Sequence, residues 1–144
     1  MQYTEGKESF HAPEAVRLDG DSLWTGPKLL AYAKACENNC HSPSDPAGGP
    51  AEKWNWEFQP GFPLEALCQH EWNRWIAWTK QEIQIWTDEG EPFRFQPLLE
   101  NPIEEPVVIV WVKNKYHIWD GHHRIGCSIF AGRSSIPAII GRKS

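Results

Sequence analysis

The stretch PVVIVWVKNKYHIWDGHHRIGCSIFAGRSSIPAII, residues 106–140, carries the densest pattern in the chain. The apolar run from Pro106 to Val112 has the length and β-branched content of a buried strand. Lys113-Asn114-Lys115 is a polar turn, and Tyr116 to Trp119 returns as a second strand. Asp120-Gly121 is a corner. Ile125 to Ala131 reads as a helix closed by Gly132, and Ile136 to Ile140 as a last strand. His122, His123 and Arg124 open that helix. A helix start gathers unpaired N–H groups and the positive end of the helix dipole, which together attract anions. Gly121 lets the backbone bend and lets a ligand approach. The corner therefore reads first as a phosphate pocket, against the simpler reading of a turn followed by solvated helix-start residues.

The sequence before this stretch is less regular. His11 to Leu18 leads as a short strand or turn into Asp19-Gly20-Asp21, whose acids do not continue at calcium-loop spacing. Pro27 to Cys36 has helical spacing, with Pro27 suited to a first helical position and Asn38-Asn39 as the stop. Residues 41–63 are rich in proline and glycine, and the alternating Trp54, Trp56 and Phe58 make part of them a candidate edge strand or flap. Leu64 to Trp86 is the longest helical pattern, with a stripe of Leu64, Cys68, Trp72, Trp75, Thr79, Ile83 and Trp86. Trp78, Ile76 and Ile85 lie off that stripe, so more than one face is expected to be covered. Phe93 to Pro97 alternates like a short strand.

At 144 residues the chain is long enough for one domain with a proper core, and neither side of residues 41–63 looks self-sufficient. It contains no run of the ~20 apolar residues that a membrane helix needs. The polar start Met1 to Lys7 lacks a signal-peptide core, so a cytoplasmic protein with free thiols is expected. A net charge of −5 argues against a generally basic nucleic-acid binder. That charge is uneven. Residues 1–102 hold 16 acids and 8 bases, whereas residues 103–144 hold 3 acids and 6 bases, so the candidate anion site lies in the positive part. Cys36, Cys40, His41, Cys68 and His70 lack the paired spacing of a zinc site, and Cys36 and Cys68 fall on apolar stripes. Of the nine tryptophans, Trp72, Trp75 and Trp86 read as core. Trp54, Trp56 and Trp78 are candidates for base stacking or partner contact, with ordinary packing the alternative.

Residues 103–142 resemble the ParB/sulfiredoxin-like superfamily in the strand opening at a proline, the hairpin, the DGHHR corner between strand and helix, the closing glycine and the Ile-Pro strand. The resemblance implies an α/β (α+β) fold, a ParB/sulfiredoxin-like core with a small mixed sheet; residues 1–102, which it does not cover, read from their own pattern as an added N-terminal helical layer of the same single domain. Branches of the superfamily differ in chemistry. Sulfiredoxins carry a cysteine where this chain has His122, and Cys127 lies more than a helical turn further on, which argues against sulfinic acid reduction. Partition ParB proteins continue into a helix-turn-helix domain, whereas this chain ends at Ser144. Free-serine kinases share the DGHHR corner and use an acid near the start of the core, a place that Glu104 or Glu105 could fill. Small plasmid fertility-inhibition factors, which look like NTPases with nuclease activity, are similar in size and architecture.

These features together lead to the expectation of a nucleotide-binding phosphohydrolase using ATP and Mg2+, with DNA binding or cleavage as an extension. Arg124, His122 and His123 would grip phosphate, since a planar guanidinium binds two oxygens at once and imidazoles donate hydrogen bonds. Gly121 would allow the approach, Asp120 would hold magnesium, and Glu105 would position a water or hydroxyl for in-line attack. Two alternatives stand beside this: a free-amino-acid kinase, and a non-enzymatic inhibitor that meets a protein target through its tryptophan-rich N-terminal half and keeps only a vestigial nucleotide site.

Overall fold

The computed structural model describes residues 26–37 and 45–143. Asp19-Gly20-Asp21, the segment from His11 to Leu18, the stop at Asn38-Asn39, and Cys40 and His41 lie outside the described residues.

Four strands, β1 (Trp54–Pro63), β2 (Val107–Val112), β3 (Lys115–Asp120) and β4 (Ser135–Lys143), form one mixed sheet in the order β1-β4-β2-β3. Strand β2 (Val107–Val112) runs into β3 (Lys115–Asp120) through a hairpin. Lys113 and Asn114 take φ of 52° and 63°, the left-handed pair that matches the twist of the flanking strands. After β3, helix α4 (His122–Phe130) carries the chain over one face, and β4 (Ser135–Lys143) returns parallel to β2. Strand, turn, strand, corner, helix and strand thus follow in the expected order.

Residues before 103 complete the same sheet. Trp54 to Pro63 form β1, an edge strand antiparallel to β4, with an irregularity between Gln59 and Phe62. Pro60 falls in that irregularity, where a missing N–H costs no ladder bond. The N-terminal half is therefore more than a helical layer.

Its helices lie on opposite faces. Helix α1 (Gly26–Cys36) buries Leu29, Tyr32, Ala33 and Cys36, one helical face, against Val108, Val110, Trp119 and Ile139. On the other face α4 packs with α2 (Gln69–Asp88) over Val107, Ile109, Ile118 and Ile140. The helices meet closely at Gly126, where an added Cβ would overlap the Thr79 hydroxyl and stand 3.1 Å from the Trp75 carbonyl oxygen.

Two expectations are corrected. The helical pattern from Leu64 opens with a 3-10 turn at Leu64–Ala66, and α2 begins only at Gln69. Phe93 to Pro97 is not a strand. Phe93 and Phe95 both turn inward onto Cys127, and the chain enters a short helix, α3 (Gln96–Glu100), with Pro97 in its first turn. A proline there fits a helix start, and its missing N–H would break a sheet ladder.

Candidate functional site

The corner joins β3 to α4. Gly121 precedes the helix with φ of 100°, in the left-handed region, and no side chain at that position caps the first turn. A Cβ on Gly121 would lie 2.5 Å from Cγ1 and 2.9 Å from Cβ of Val107, so β2 already fills the space beside it. Glycine is required here by the backbone and by close packing of the chain on itself.

Arg124 points inward. Its side chain is 2% exposed, and that of Asp120 is 1% exposed. One guanidinium nitrogen donates to the backbone oxygens of Glu105 at 3.0 Å and Pro106 at 2.8 Å, and the other donates to Asp120 Oδ2 at 3.2 Å. The planar fork thus ties the entry of β2 to the end of β3. Helix α1 closes the cluster. Cys36 Sγ donates to the same Asp120 oxygen at 3.5 Å, and the Tyr32 hydroxyl donates to the Pro106 carbonyl at 3.4 Å. Burial works against the Arg124 charge, but Tyr32, Asp120 and Glu105 around it outweigh that and raise its pKa. Burial, reinforced by Asp120, pushes the Cys36 thiol far up, and burial does the same for the Tyr32 phenol.

The two histidines differ. His123 is fully buried, stacked on Phe95 at 4.3 Å and met edge-on by Trp78 at 4.8 Å. His122 is half-buried, with its ring tilted over Trp75 at 4.4 Å. Among residues 120–124 it is the only one not buried. Glu105 is half-buried beside Arg124, and Glu104 is exposed. The structure thus gathers Glu105, Asp120, Gly121, His123 and Arg124 into a packed junction, with His122 at its surface. Three surface concavities of about 360, 550 and 400 Å3 are lined by residues other than these.

The residues present do not fit a magnesium ion held by Asp120. Its carboxylate is buried and engaged by Arg124 and Cys36, whereas Mg2+ takes six oxygens and keeps several waters. Among the described residues no group of three or more histidine, cysteine or carboxylate side chains could hold a metal. A second buried thiol, on α4, is likewise inert. Cys127 is buried, and desolvation lifts its pKa to about 12, so it is neutral at physiological pH.

The tryptophans offered for stacking are mostly used in packing. Trp54 is buried and meets Trp119 edge-on, Trp56 covers Gly141, and Trp78 rests on His123. The contribution of Tyr32 and Cys36 was not visible as a site. Their four-residue spacing signals only a buried helix face. Comparison with protein-family models, with curated proteins and with solved structures gave no match. No described helix is long and apolar enough to cross a membrane.

Proposed function

We propose that the chain is a nucleotide-binding phosphohydrolase of ParB/sulfiredoxin-like type, taking the phosphates of a nucleotide such as ATP at the start of α4. The observation that carries this reading is the helix start itself. Gly121 brings the backbone into α4 in a left-handed conformation without a capping side chain, and the half-buried His122 stands in the first turn. Backbone N–H groups and an imidazole suit a phosphate oxygen. In this reading Arg124 and Asp120 are positioning residues that hold the corner rigid. Glu105, half-buried at the same junction, is the carboxylate for orienting an attacking water.

The test is calorimetric titration of ATP, ADP and CTP, with and without Mg2+, into wild type and His122→Ala, followed by assay of phosphate release. The reading requires saturable binding that weakens about tenfold or more in the variant while its unfolding midpoint stays within a few degrees of wild type. One observation favours a second reading. The guanidinium expected to grip phosphate is engaged by the chain's own carbonyls and carboxylate, as in an interaction protein whose nucleotide site is vestigial. Absence of heat with every nucleotide selects that reading.

A further inference from the structure

The sheet has a second distinctive end, at the β2–β3 hairpin. It is separated from the corner by the length of β3, roughly 17 Å at about 3.4 Å per residue. Register places Arg142 of β4 beside Trp111 of β2, Trp111 beside Tyr116 of β3, and Asn55 of β1 beside Arg142. Cross-strand partners share a face, so these four form one row across the sheet. The next row inward on that face contains Ile140, Ile109 and Ile118, all buried under the helices. The outer row is less covered: Asn55 is exposed, Trp111 and Tyr116 are half-buried, and the Arg142 side chain is 42% exposed.

The row is organised around its rings. Trp111 and Tyr116 lie 4.5 Å apart, and Tyr116 is braced edge-on by the buried Phe62 at 5.0 Å. The Arg142 guanidinium sits 5.8 Å from the Trp111 ring and 5.9 Å from the Tyr116 ring, and donates to the Tyr116 hydroxyl at 3.3 Å. Cations lie at the same end of the sheet. Lys113 is in the hairpin turn, whereas Lys115 and Lys143 alternate onto the α1 face, where Lys143 and Lys53 sit within 6 Å of Trp54. All but the half-buried Lys53 are exposed, and none of the four makes an ion pair among the described residues. Glu57, opposite Ile140 on the same face, is held by Arg142 at 3.3 Å. A chain of net charge −5 thus concentrates positive charge and flat rings at one end of its sheet.

We propose that this end of the sheet binds single-stranded nucleic acid, with bases stacking on the Trp111–Tyr116 pair and phosphates running past Arg142 and over the end of the sheet to the lysines. Half-buried rings at a sheet end, with Arg142 on their face and lysines just beyond the edge, suit unpaired bases, whose faces a duplex hides. An acidic protein surface would use the cations and leave the rings idle. The site is independent of the corner and does not rest on the nucleotide reading.

Fluorescence anisotropy of labelled twelve-nucleotide oligo-dT and oligo-U, a duplex of equal length and polyglutamate, at stepped salt, tests the proposal. Single strands should bind most tightly, and affinity should fall about tenfold or more in Trp111→Ala. A Lys115→Glu/Lys143→Glu double variant, changed only at exposed residues, should bind weakly and show a shallower salt dependence. His122→Ala should bind like wild type, which separates this site from the corner. Absence of single-strand binding at low salt, preference for the duplex, equal binding of polyglutamate, or unchanged affinity in both sheet-end variants each overturns the proposal.

Discussion

Replacing Arg124 by alanine should unfold the corner before it tells anything about a ligand. The guanidinium makes hydrogen bonds of 3.0 and 2.8 Å to the Glu105 and Pro106 carbonyls and of 3.2 Å to Asp120 Oδ2, all in a buried junction. Alanine leaves the Asp120 carboxylate buried without its cation, and breaking such a pair costs about 3–5 kcal/mol. A native domain is stable by only about 5–15 kcal/mol, so the loss takes about a fifth of the total or more. Urea unfolding followed by tryptophan fluorescence should show that drop or a chain that does not fold. Arg124→Lys should recover only part of it, because an ammonium cannot span two carbonyls and a carboxylate as a planar fork does. Arg124→Met combined with Asp120→Leu should be more stable than Arg124→Ala, since replacing both charges by apolar groups of similar size is often close to neutral. A loss below about 1 kcal/mol in Arg124→Ala would refute the structural role and return the guanidinium to the list of ligand groups.

Two further predictions concern the packing around the corner. Gly126→Ala should destabilise despite the gain of about 1 kcal/mol in helix propensity, because the new methyl would overlap Thr79 and press on the Trp75 carbonyl. A net loss of about 1–2 kcal/mol is expected from chemical denaturation, partly relieved by Thr79→Ala, and a net gain would contradict the close α2–α4 contact. Cys127 makes stability fall in alkali. Its folded pKa of about 12 lies above its unfolded value near 9.0, so its contribution is fully present below about pH 9 and is lost as the pH rises to about 12. Unfolding midpoints of wild type and Cys127→Ala measured over that range should converge as pH increases; parallel curves would count against a buried neutral thiol.

The order of elements from 106 to 140 was legible because each carries its own local signal. Val107–Val112 is a continuous apolar run, Lys113-Asn114 a two-residue turn, and Gly121 and Gly132 bracket α4. What failed was tertiary. Phe93-Arg94-Phe95 alternates like a strand, but both rings find the same inner surface across a turn, and Pro97 favours the helix that follows. The start of α2 moved because Cys68 adopts an extended conformation after the Leu64–Ala66 turn, a choice that periodicity does not register. The sheet row of Asn55, Arg142, Trp111 and Tyr116 was invisible, because its members come from four strands and meet only through the register.

The corner shows why residue types in a motif underdetermine its chemistry. Arginine, histidine and aspartate at a helix start serve a phosphate well, but they also serve a junction where two strands and two helices must converge without leaving polar groups unsatisfied. Exposure distinguishes the two demands. Asp120, His123 and Arg124 lie at or below 2%, and their bonds and ring contacts run to Glu105, Pro106, Cys36, Trp78 and Phe95 within the fold. Only His122, facing Trp75 at the surface, can change partner without opening the core. A substitution at Arg124 therefore reports on folding and one at His122 on the site, so the nucleotide reading stands or falls with His122.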